Sequence, residues 1–145
     1  MRYTIIFSTF LFFILSGCNK DKFDTVPDLK FTSVNTTQLV NGGIIQFNLS
    51  FTDKEGDISN GIYVEKTSPE CPVNNFEQSY FIPDFPAIKN QKGEIQVSFG
   101  YNVNGIPNIS PTCSKNETAT FRFVLKDKAG NVSDTVTSPP ITIVY

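Results

Sequence analysis

The 145-residue chain predicts an all-β domain, a sandwich of about seven short strands, and three observations lead there. Three segments alternate apolar and polar residues, as half-buried strands do. Turn-forming residues separate the segments at short intervals. No stretch repeats its apolar residues at helical spacing for long enough to build a helix.

In chain order, Lys30 to Asn35 is a weaker strand candidate. Gly43 to Thr52 is the clearest: Ile45, Phe47, Leu49 and Phe51 share one face, and Gln46, Asn48 and Ser50 the other. Ile62 to Lys66 and Tyr80 to Ile82 are short candidates that supply cover. Glu94 to Asn102 repeats the alternation, with Ile95, Val97, Phe99 and Tyr101 inward. Thr118 to Lys126 does so again, with Ala119, Phe121, Phe123 and Leu125 inward. The last stretch, Ser133 to Tyr145, is interrupted by Pro139-Pro140, which predicts a kinked edge strand, since proline cannot donate to an interior ladder. Strands of this number in about 115 residues suit immunoglobulin-like or fibronectin-like connectivity, with a closed barrel as the alternative. The chain has no Trp, one hallmark of true immunoglobulin domains, so the expectation is the architecture alone.

The amino terminus reads differently. Arg2 precedes an apolar run from Ile5 to Leu15, the layout of a secretory signal peptide and too short to cross a bilayer of about 30 Å. Leu15-Ser16-Gly17-Cys18 resembles the lipobox of bacterial lipoproteins. That resemblance implies cleavage before Cys18, a diacylglycerol on its thiol, and attachment to a membrane without spanning it. An ordinary signal peptide with a cysteine nearby is the alternative. The expected organisation is a signal peptide over 1–17, a lipidated tether over 18–28 and a sandwich over 29–145. Asn19-Lys20-Asp21-Lys22-Phe23-Asp24 is similar to the charged export signal of Bacteroidota-type surface lipoproteins, although it lacks a full run of acids. The resemblance implies a lipid-anchored outer-membrane location, surface-exposed or else facing the periplasm, and an ordinary solvated tether is the competing reading of the segment.

Removing residues 1–17 takes away one charge, Arg2, and leaves 128 residues, eleven basic and fourteen acidic, with net charge −3. One core suffices at that size. Mild acidity gives no reason to expect nucleic acid as a partner.

Cys71 and Cys113 remain once Cys18 carries lipid, and two cysteines in an oxidising compartment most simply pair. The chain contains no His, so the commonest general base and metal ligand is absent, along with every Ser-His or Cys-His nucleophile. No phosphate loop, GxSxG or zinc spacing occurs, and the expectation is a non-enzyme with no resident cofactor beyond a candidate Ca²⁺.

That candidate arises at Asp53-Lys54-Glu55-Gly56-Asp57, where acids at alternate positions around a glycine turn offer oxygens to a hard cation. Asp127, in Lys126-Asp127-Lys128-Ala129-Gly130-Asn131, belongs to a loop expected at the same end of a sandwich. Asp53, Glu55, Asp57 and Asp127 are therefore the candidate ligands. Plain turn chemistry uses the same residue types and competes with calcium as the explanation. The two stretches resemble loops of immunoglobulin-like domains in Bacteroidota surface lipoproteins and of cadherin-like bacterial modules, some of which bind Ca²⁺.

Asp24-Thr25-Val26 resembles the Asp-Ser/Thr-aliphatic acceptor of Bacteroidota O-glycosylation, which marks Thr25, and Asp134-Thr135-Val136 matches it less usefully. Phe76, Tyr80, Phe81 and Phe85 lie in a long prolyl segment that reads as a loop, either a binding edge for glycan or protein or, by preference, a flap closing the sandwich. Two function classes follow: a non-catalytic binding or structural module with an envelope protein or glycan partner, which is preferred and has a Ca²⁺-stabilised adhesion module as a variant, and a carboxylate-dependent glycan hydrolase using Asp53, Glu55 or Asp57.

Overall fold

The structure, a computed structural model, describes residues 23–58, 61–72 and 76–145. The expected signal peptide, Cys18 and the first part of the tether lie outside these residues. Among the described residues no helix is long and apolar enough to cross a membrane.

Among the described residues nine strands form two facing sheets: β1 (Asp28–Val34), β2 (Gln38–Leu39), β3 (Ile44–Asp53), β4 (Gly61–Thr67), β5 (Phe76–Tyr80), β6 (Gln91–Gly100), β7 (Glu117–Lys126), β8 (Val136–Thr137) and β9 (Ile141–Ile143). One sheet has the order β1-β3-β6; the other runs β2-β9-β7-β4-β5, with β8 also paired to β7. Every pairing is antiparallel except β2 with β9. The chain crosses between the sheets at each step from β1 to β4, returns to the first sheet at β6 and leaves it again at β7, whereas β4 with β5, and β7 to β9, stay within one sheet. The all-β expectation holds.

The core forms where the alternating faces meet. Ile45, Phe47 and Leu49 of β3 are fully buried and Phe51 nearly so, as the period-two pattern requires. Phe47 packs against Phe121 and Phe123 of the facing sheet with ring centroids 4.7 and 5.2 Å apart. Burying one such ring stabilises the fold by roughly 1.5–3 kcal/mol.

Two local expectations need correction. The segment from Phe76 to Tyr80 is a strand, not a loop: Ile62 pairs with Tyr80 and Lys66 with Phe76, so both aromatic rings point inward. Each meets Phe99 edge-on, at 5.7 Å for Tyr80 and 5.9 Å for Phe76. The carboxyl-terminal strand is also not at an edge, because the short parallel β2 covers β9. Pro139-Pro140 instead divides β8 from β9, which both pair with β7. Buried serines fill the resulting gaps in the ladder. Ser138 Oγ accepts from the Phe121 N–H at 3.0 Å, and Ser133 Oγ accepts from the Leu125 N–H at 2.9 Å. Both amides would otherwise be orphaned inside the sandwich.

Candidate functional site

β3 and β7 belong to opposite sheets but run to the same end of the sandwich, so the turns that follow them meet there. In the first turn, Asp53 Oδ2 accepts from the N–H of Gly56 at 2.5 Å and of Asp57 at 3.2 Å. Gly56 has φ +73°, and a Cβ there would fall 2.2 Å from the Ile88 carbonyl oxygen, so no other residue fits. In the second turn, Asn131 donates to Asp127 from both its backbone N–H and its side-chain amide, each at 2.7 Å. The Lys128 N–H donates to the Asp57 carbonyl at 3.0 Å and joins the turns.

Asp53, Asp57 and Asp127 each offer an oxygen to a group lying within 4.8 Å, as their positions in sequence suggested. Asp53 is fully buried and Asp127 is 1% exposed. The Oδ1 atoms of Asp53 and Asp57 are buried without a hydrogen-bond partner. Burial pushes the Asp53 carboxyl above the ordinary range, and the charges of Asp57 and Glu55 push the same way, against the two amide hydrogen bonds. Glu55 stands apart from this group. It is exposed and accepts a hydrogen bond from the Thr25 hydroxyl at 3.3 Å.

The amino-terminal segment is bound to both turns. The Lys54 N–H donates to the Asp24 carbonyl at 3.1 Å, and the Asn131 side-chain amide donates to the Thr25 carbonyl at 3.3 Å. Thr25 itself is exposed.

At the opposite end, Cys71 and Cys113 form a disulfide with Cα atoms 6.0 Å apart. Beside it, the Lys66 ammonium donates to Glu117 Oε1, and both residues are almost wholly removed from solvent. Glu117 Oε2 accepts from the N–H of Thr112 at 2.6 Å and from its hydroxyl at 2.8 Å, which fixes the chain next to Cys113. Burial alone would raise the Glu117 carboxyl, but the Lys66 and Thr112 bonds outweigh it and hold the group below its ordinary range. This pair was missed at the sequence level although its signal is present. Lys66 shares its face of β4 with Ile62 and Val64, and Glu117 shares its face of β7 with Ala119, Phe121 and Phe123.

Of the four aromatics expected in a binding edge or, by preference, a closing flap, Phe76, Tyr80 and Phe85 pack against the core, while Phe81 is 71% exposed. Phe81 borders an open groove of about 330 Å³ between β5 and β6, lined by Tyr80, Ile82, Ile95, Val97 and Pro107.

No protein-family model matches the chain, and no curated protein matches it in sequence. Among solved structures it is similar to Spo0M, a sporulation control protein from Bacillus subtilis, at 10% identity and TM-score 0.48, covering 83% of this chain and 50% of that one. It is also similar to a Niemann-Pick type C2 protein from Japanese carpenter ant, at 11% identity and TM-score 0.44, covering 80% of this chain and 92% of that one. The chain therefore spans about half the length of Spo0M. Neither likeness carries an argument about the site.

Proposed function

We propose that this chain is a cell-envelope lipoprotein, anchored through lipidated Cys18 and acting as a non-catalytic module for a protein or glycan partner. The observation that carries this reading is where the amino-terminal segment meets the sandwich. Asp24 and Thr25 are bound to the turns after β3 and β7. The chain from Cys18 to Phe23 reaches at most about 18 Å when extended, so an anchor at Cys18 sets that end of the sandwich close to a lipid surface. The disulfide-tied loops at the other end then face outward, toward a partner.

Burial of the acids supports a module over a hydrolase. A glycosidase needs its two carboxyl groups on either side of a bound sugar in an open cleft. Asp53 and Asp127 have almost no exposure to offer. Fractionation of cells making the full chain and its Cys18→Ser variant tests the reading. The native chain should sediment with membranes and the variant should be soluble; equal partition of the two would overturn the proposal.

A further inference from the structure

We infer that Asp53, Asp57 and Asp127 form a Ca²⁺ site that fastens the turn after β3 to the turn after β7. Three carboxylates offering oxygens within 4.8 Å repel one another at neutral pH unless a cation or protons compensate. Asp53 is wholly buried, yet its Oδ1 has no hydrogen-bond partner, and the Oδ1 of half-buried Asp57 is also shielded from solvent and unpartnered. Buried carboxylate oxygens of native proteins are nearly always satisfied. A bound cation satisfies both at once. Both orphaned atoms belong to carboxylates of the cluster.

The chemistry of the donors selects among cations. All are hard oxygens, which suits Ca²⁺ or Mg²⁺ and disfavours zinc, whose usual partners are His and Cys. The donors come from two turns with irregular spacing, and Asp53 and Asp127 are each partly committed to amide hydrogen bonds. Ca²⁺ accepts 6–8 oxygens in flexible geometry, whereas Mg²⁺ demands a near-ideal octahedron and keeps its waters. An irregular, carboxylate-rich site, with half-buried Asp57 on the side where water can complete the shell, fits Ca²⁺.

The site acts on the amino-terminal segment through the same turns. Lys54 and Asn131, which hold Asp24 and Thr25, flank Asp53 and Asp127 in these loops. Ca²⁺ therefore stiffens the junction between the segment and the sandwich, and this holds whether or not Cys18 carries lipid.

Thermal melting and calorimetric titration of the full chain in detergent test the inference, with Ca²⁺, Mg²⁺ or chelator. Ca²⁺ held about 100-fold above its dissociation constant should raise the melting temperature by about 10 °C over chelator, and Mg²⁺ by much less. Asp127→Asn keeps an acceptor for Asn131 and removes one charge, so it should stay folded in chelator and bind Ca²⁺ at least tenfold more weakly. Absence of a calorimetric Ca²⁺ isotherm for the native chain overturns the site. So does an Asp127→Asn variant that binds as tightly as the native chain, because the cation would then sit elsewhere.

Discussion

Lys66→Met removes the positive member of the buried pair between β4 and β7 while nearly preserving the volume of its apolar stem. Both members have 2% side-chain exposure or less, so the Glu117 carboxylate left behind has no water to replace the ammonium. Its remaining donors are the N–H and hydroxyl of Thr112. Breaking a buried ion pair from one side costs about 3–5 kcal/mol, because an uncompensated charge stays in the interior. For a domain of this size that corresponds to a fall of roughly 12–20 °C in melting temperature. Replacing both charges, in Lys66→Met with Glu117→Leu, removes the uncompensated charge and should recover much of the loss. The assay is urea denaturation of the native chain, both single variants and the double variant, read as a coupling energy. A loss under about 1 kcal/mol for Lys66→Met, or strict additivity in the double variant, would refute the reasoning that this pair is buried and coupled.

The same pair should be visible in pH dependence. The folded Glu117 carboxyl lies below its unfolded value of about 4.3, so its contribution is complete above that value and fades as pH falls through the folded pKa. The stability gap between native chain and Glu117→Gln should accordingly be wide at pH 6 and shrink progressively as pH falls below about 4.3; a gap that stays constant into strong acid contradicts the assignment. Gly56→Ala places a methyl against the Ile88 carbonyl at a positive φ, so it should lower the melting temperature and abolish the response to Ca²⁺. Melts with and without chelator check both. Replacing Cys71 and Cys113 by Ser opens a loop with a sequence separation of 42 and should cost about 4 kcal/mol by the chain-entropy relation, measured by denaturant titration of variant and native chain.

The long strands were legible because each carries enough residues for a period-two pattern to stand out. Ile45, Phe47, Leu49 and Phe51 read correctly as one inward face, as did Ala119, Phe121, Phe123 and Leu125. β2 was not legible, since two residues hold no pattern and its parallel pairing with β9 is set by the fold as a whole. The edge assignment for the last strand failed for that reason. Phe76 to Tyr80 was hidden by its surroundings: asparagines before it and Pro83 after it suggested a loop, while Phe76, Gln78 and Tyr80 already shared one face. At the candidate site, the convergence of Asp53, Asp57 and Asp127 followed from where their turns fall in a sandwich. The position of Glu55 did not, because its direction depends on Gly56 folding the turn against Ile88.

The proposed anchoring of this sandwich beside a lipid surface is tested most directly by the intact mass of the mature chain purified from the cells that make it. The expected species is a polypeptide that starts at Cys18 and carries the added mass of two or three acyl chains. A mature chain with an unmodified Cys18, or one that starts at another residue, would contradict it.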